Sequence, residues 1–94
     1  MFAVTPEALE RLSMKLTRRK AANDEALRAR CSHGRWKLRV DQAKPEDTAF
    51  AHDGRKVLLL DRAAAKQVSA MTLIVAETES GPRLRLRRNP AKPS

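Results

Sequence analysis

Cys31 and His33 are the side chains of this sequence best suited to hold a metal, and they stand two residues apart around Ser32. A thiolate and an imidazole are ligands that zinc, copper and iron accept, and His52 in a later turn offers another imidazole. Three such groups converging would make a site. Yet Cys-x-His is not a recognised zinc spacing, and a lone cysteine neither closes an internal disulfide nor holds a structural zinc by itself. A histidine in a polar turn ordinarily faces solvent. Cys31 and His33, with His52 as a possible third, form a minimal metal candidate.

Cations make the second constellation. Arg28 and Arg30, then Arg35, Lys37 and Arg39, then Arg83, Arg85 and Arg87 recur at every second residue. That period sets each row on one side of a strand. Like charges on neighbouring strands repel by about a few tenths of a kcal/mol per pair. Such a face is either a polyanion site or a solvated surface interleaved with acids, and it also guards a sheet edge against aggregation. The formal net charge of +9, from 20 basic and 11 acidic residues, fits an anionic partner and equally fits an arginine-rich composition. Trp36 points away from these rows, so no base-stacking platform is expected. Nothing resembles a recognition helix either. The most the rows predict is weak, non-specific, salt-sensitive binding of nucleic acid through phosphate contacts.

Catalytic signatures are missing. The sequence has no phosphate-binding glycine loop, no H-E-x-x-H and no G-x-S-x-G. The acids Asp41, Glu46, Asp47, Asp53 and Asp61 sit mostly in expected turns, where aspartate caps and orders loops. The expectation is a protein that is not an enzyme.

The elements that carry these residues are organised around the stretch PEDTAFAHDGRKVLLLD, residues 45–61. Val57-Leu58-Leu59-Leu60 is a short uninterrupted aliphatic run, which suits a strand covered on both faces. Asp53-Gly54 just before it is the signal of a tight type I′ hairpin turn, and Phe50 falls on the partner strand. Ahead of this hairpin, Phe2-Ala3-Val4 reads as a strand. Thr5 then caps a helix from about Pro6 to Lys20, with Leu9, Leu12 and Leu16 on its buried stripe. From Glu25 the period changes to two. Leu27, Ala29 and Cys31 lead through a turn at Ser32-His33-Gly34 to Trp36, Leu38 and Val40, a hairpin with one apolar and one cationic face. A short helix is expected over Arg62 to Ser69, a strand over Met71 to Thr78, and a last strand bearing Leu84 and Leu86. The fold class is α+β: mostly antiparallel β-sheets packed with one N-terminal helix and a short second helix. Residues 1–88 form the single domain, and 89–94 a disordered C-terminal tail. No apolar run approaches the ~20 residues needed to span a bilayer. The N-terminus also lacks the basic start and apolar stretch of a secretory signal, so no membrane association and a cytoplasmic location are expected.

Order and wording together resemble the A-type iron–sulfur carrier family, the HesB-like iron–sulfur biogenesis domain. Members begin with a short strand and a T/S-x-x-A helix ending in a basic cluster. An L-R-L-type strand follows, and then a P-E/G-D-x-x-F…G-x-K/R-V-x-V-D block. In this sequence Pro45, Asp47, Phe50, Gly54, Val57 and Asp61 fall in frame with that block. Further on, VSAMTLIV is similar to the family's L-x-G-x-x-L-D-F segment. LRLRRNP is similar to its F-K-F-x-N-P and ends on Asn89-Pro90, so the likeness runs from Phe2 to Pro90.

The resemblance implies a HesB-like fold. It also implies an iron–sulfur cluster held by three cysteines, one in a G-C-S-G loop and two in a later C-G-C. Thiolates are the soft ligands such a cluster needs. Only Ala91-Lys92-Pro93-Ser94 follow Pro90, so the C-G-C pair has no counterpart in this sequence. Cys31-Ser32-His33-Gly34 is similar to C-S-G in its letters, but the strand alignment sets Cys31 level with an apolar strand residue. There it is expected to be a small buried side chain. The resulting expectation is a degenerate, non-catalytic HesB-like protein without a cofactor of its own. It would serve as an accessory or interaction module related to cluster assembly, with a protein partner. The alternatives are a basic nucleic-acid-binding module, and a residual metal or cluster carrier through Cys31.

Overall fold

The computed structural model describes residues 2–89. The chain opens with strand β1 (Ala3–Val4) and helix α1 (Pro6–Arg18). Thr5 caps α1 as its position before Pro6 requires: its side chain accepts from the Ala8 N–H at 3.2 Å, while its own N–H donates to the Leu73 carbonyl at 3.1 Å. Ala8, Leu12 and Leu16 recur every four residues and are fully buried, whereas Leu9 lies half-buried beside them.

The helix stops two residues before the expected Lys20, and the backbone shows why. Lys20 adopts a left-handed φ of +53°. The Lys20 N–H donates to the Thr17 carbonyl, and the Ala21 N–H to the Leu16 carbonyl, both at 3.1 Å. That is the Schellman arrangement, in which one left-handed residue lets the chain satisfy the last helical carbonyls. Lysine occupies a position that ordinarily favours glycine.

Strands β2 (Glu25–Ser32) and β3 (Arg35–Gln42) form the first hairpin. Its two-residue turn, His33-Gly34, has φ of +51° and +76°. Strands β4 (Thr48–His52) and β5 (Arg55–Leu60) form the second around Asp53-Gly54, with φ of +51° and +78°. Both turns thus have the doubly positive φ that a type I′ connection demands. The register slips between Phe50 and Ala51, so Val57 has no opposite. A bulge of this kind sharpens the local twist.

Asp61 caps helix α2 (Arg62–Gln67), its carboxylate accepting from the Ala64 N–H at 2.7 Å. Two strands complete the fold, β6 (Met71–Thr78) and β7 (Gly81–Arg88).

One sheet runs β3-β2-β5-β4 and the other β1-β6-β7. Each is mixed, because β2 runs parallel to β5 and β1 parallel to β6, while the hairpin pairs are antiparallel. The expected α+β class is borne out, with more parallel pairing than expected. Hairpin signals are local in sequence, whereas β2–β5 joins two separate hairpins side by side, which no local signal announces. Val57, Leu58, Leu59 and Leu60 are all buried, as a central strand covered on both faces requires. Leu58 and Leu60 face Leu73, Leu84 and Leu86 of the other sheet. Phe50 is half-buried and meets Phe2 edge-on, with ring centroids 5.3 Å apart. Asn89 is tied back to β6: its N–H donates to the Ala70 carbonyl at 2.8 Å, and its side chain bonds the Thr72 hydroxyl. The rest of the expected disordered tail, from Pro90 onward, lies outside the described residues.

Lys20→Gly tests the helix stop. Glycine adopts positive φ without the Cβ clash, so the variant should unfold at higher urea, gaining up to about 1 kcal/mol in stability.

Candidate functional site

The hairpin register decides what the cationic residues can do. Opposite neighbours on β2 and β3 are Arg28 with Arg39, Arg30 with Lys37, and Ala26 with Asp41. Asp41 is therefore diagonal to Arg28 on the same face. Arg28 was expected on an exposed cationic face with Arg30; instead it is buried, at 6% exposure. Its Nε donates to Asp41 Oδ2 at 2.7 Å. Nη1 donates to Asp47 Oδ1 at 2.8 Å, and Nη2 to Asp47 Oδ2 at 2.6 Å. Nη2 also reaches the Gln42 carbonyl at 3.1 Å. This fork is the bidentate geometry peculiar to arginine. Asp47, whose side chain is 2% exposed, also accepts the Lys44 N–H at 2.7 Å, which closes the loop between the hairpins. The hydrogen bonds from Arg28 hold the Asp47 carboxyl down at about 2, and they lower that of Asp41 too. In return, chiefly through Asp47, the guanidinium of Arg28 is pushed further above its ordinary value.

The other cations divide between two sheets. Arg30, Arg35, Lys37 and Arg39 are exposed on the first hairpin, where Arg30, Lys37 and Arg39 border a groove with Cys31 and Ser32. Arg83, Arg85 and Arg87 are exposed on β7, in the other sheet. The three rows do not make one surface. Sequence reasoning missed a separate cationic cluster, in which Arg83 shares a depression with Arg11 and Lys15 of α1 and with Arg19 at its C-cap. Burial, then the repulsion of Arg11, Arg19, Arg18 and Arg83, lowers the pKa of Lys15. The i, i+4, i+8 spacing along α1 was a visible signal, but its meeting with β7 was not.

Cys31 corrects another expectation: it is exposed, not buried. The parallel pairing of β2 with β5 covers Leu27 and Arg28 only. Beyond that point the β2–β3 hairpin projects without a neighbour on the β2 side, and Cys31 is carried out with it. His33 is exposed in the turn itself. His52 is half-buried at the other hairpin, with Nε2 3.4 Å from Asp53 Oδ2. Among the described residues, no three of His, Cys, Asp or Glu are grouped so that they could hold a metal ion.

No family model matches the chain, and no curated protein matches it in sequence. Solved structures do match. Escherichia coli SufA, involved in biosynthesis of iron–sulfur clusters, superimposes with a TM-score of 0.66 at 17% identity, covering 93% of this chain and 84% of that one. The fold is that of the A-type iron–sulfur carriers. A protein from Aquifex aeolicus solved by NMR matches with a TM-score of 0.64 at 24% identity, over 95% of this chain and 91% of its own. IscA, solved with a [2Fe-2S] cluster, matches at 0.55 and 18% identity, over 94% and 82%. At these identities the likeness establishes the carrier fold and leaves the chemistry to this chain's own residues.

Those residues do not fit an iron–sulfur cluster. The sequence holds one cysteine, and its thiol stands on an exposed hairpin end beside a histidine, whereas a cluster is held by several ligands, mostly thiolates.

The Arg28 fork yields a paired expectation. Arg28→Met leaves the Asp47 carboxylate buried and unpaired, and should destabilise the fold by about 3–5 kcal/mol in urea unfolding. Asp47 binds its proton more weakly in the folded chain than in the unfolded one. Its contribution is therefore complete above the unfolded carboxyl value of about 4 and is lost as pH falls through about 2. Acid titration of the wild type should show a loss of stability across that window, and Arg28→Met should show a smaller one.

Proposed function

We propose that this protein is a non-catalytic accessory or interaction module related to iron–sulfur cluster assembly, acting in the cytoplasm and binding no cluster through three cysteines of its own. The observation that carries this reading is the carrier fold combined with a single, exposed thiol. A domain that keeps the scaffold without the soft ligands still presents the surfaces by which such a scaffold meets other proteins. Its partner is then a protein of the cluster-assembly machinery. No helix among the described residues is long and apolar enough to cross a membrane.

Anaerobic incubation with ferrous iron and sulfide, followed by the visible spectrum, tests the ligand argument. The expected result is no stoichiometric absorption band after desalting. A stoichiometric band that disappears in Cys31→Ser would instead establish a residual carrier, with two Cys31 thiolates bridged between chains and other donors completing the site.

A second reading rests on the exposed cations of the first hairpin. Arg30, Arg35, Lys37 and Arg39 have no ion-pair partner among the described residues, because the ion pairs there belong to Arg28 and His52. Such a surface binds polyanions non-specifically, by displacing their counterions. Duplex DNA should bind measurably at low salt, with a slope of log K against log salt of about −0.9 per phosphate neutralised. The triple variant Arg35→Ser, Lys37→Ser, Arg39→Ser should flatten that slope and weaken all sequences alike, since phosphate contacts carry no base information. Undetectable binding at low salt would reduce these residues to solvated surface.

A further inference from the structure

The inner faces of the two sheets do not close over their whole length. β3 and β7 are edge strands, and their inward side chains Trp36, Leu38, Leu84 and Leu86 are only half-buried. Between them runs a cleft of about 340 Å³, with the buried Leu58, Leu60 and Leu73 deeper in. Its size falls at the lower end of the roughly 300–1,000 Å³ typical of small-molecule sites, and its largely apolar lining is typical of them as well.

Trp36, Leu38 and Leu84 also line the neighbouring depression, whose other walls carry Arg11, Lys15, Arg19 and Arg83. Arg11 and Lys15 lie one helical turn apart on α1, Arg19 follows at its C-cap, and β7 brings the fourth to them. No carboxylate pairs with any of the four among the described residues. Arg19 spends one donor on the Leu38 carbonyl, 3.3 Å away, which fixes the cluster against β3. Like charges at this spacing repel, and an anion placed among them relieves the repulsion. An apolar slot and an uncompensated cationic basin thus share a wall.

We propose that the cleft and the basin form one binding site for an anionic amphiphile, a fatty-acid-like aliphatic carboxylate. Its chain lies between the sheets and its carboxylate among Lys15, Arg19 and Arg83. Charge argues against a second copy of this chain as the occupant, since each copy brings a net charge of +9 to the same cations. A nucleic acid would leave the apolar slot unused, and a neutral lipid would leave the cations uncompensated.

Trp36 is the only tryptophan and stands at the shared wall, so its emission reports occupancy of both halves. Titration with laurate below its micellar concentration should give a saturable blue shift, with calorimetry as the second readout. The double variant Lys15→Gln, Arg83→Gln should bind laurate at least about tenfold more weakly, as loss of charge-assisted contacts implies, with its thermal unfolding little changed. Dodecyl maltoside, which keeps the chain but has a neutral head, and butyrate, which keeps the head without the chain, should both bind more weakly than laurate. Several results would overturn the proposal. Laurate that fails to saturate, or that binds the double variant unchanged, removes the site. Equal affinity for dodecyl maltoside leaves an apolar groove only, and equal affinity for butyrate or inorganic phosphate leaves an anion site only. A response confined to phosphatidylglycerol vesicles makes the surface a membrane contact. Sedimentation as a dimer that shields Trp36 and excludes laurate makes it a self-association face.

Discussion

Strand β5 is buried on both of its faces, and the arrangement of the molecule follows from keeping both covered. Its four aliphatic residues cannot meet water on either side, so each side needs its own cover. On one side, Leu58 and Leu60 face the second sheet. On the other, Leu59 stands in register beside Arg28, and Leu59 and Ala26 are buried outside the main core cluster. An arginine at such a position is tolerable only if its charge and donors are satisfied, which the Asp41–Asp47 fork achieves. The same fork draws the loop after β3 against the sheet. A cationic residue thereby acts as a structural tie, and Asp47, one of the two acids that answer it, is withdrawn from the surface while Asp41 stays partly exposed.

That withdrawal shapes the electrostatics of the rest. With 20 basic and 11 acidic residues, the chain has few acids to spare for its exposed cations. The uncompensated charge collects in separate places: the outer face of the first hairpin, the β7 row, and the basin between α1 and β7. The groove on the hairpin face is lined by Arg30, Lys37 and Arg39 with Cys31 and Ser32, and it shares no lining residue with the apolar cleft. The basin shares a wall with the apolar cleft, which gives it a different chemistry. One net charge therefore supports two distinct readings, and the geometry separates them.

The carrier fold and the donor set point in different directions. SufA and IscA share this chain's architecture at 17% and 18% identity, and in this chain that architecture rests on hairpin turns, a central aliphatic strand and a capped helix. None of those features requires a thiolate. A scaffold of this kind therefore stands without cluster ligands, and Cys31 sits exposed near the end of the first hairpin.

The sequence by itself determined the elements whose causes are local. Thr5-Pro6 starts α1 and Asp61 starts α2 because capping acts within one helical turn. Asp53-Gly54 sets the second hairpin because a two-residue turn fixes the register of its own strands, and the first turns at His33-Gly34, with Ser32 of the expected turn paired to Arg35 instead. Even the Arg28–Asp41 diagonal was implicit in that first register. The motif residues Asp47 and Asp61 were legible as loop-ordering acids, although the partner of Asp47 was not. Tertiary structure decided what depends on residues distant in the chain. The parallel β2–β5 contact covers Arg28 and stops before Cys31, so it buried the residue expected outside and exposed the one expected inside. A period of two says which residues share a face, but only the neighbouring strand decides whether that face meets protein or water.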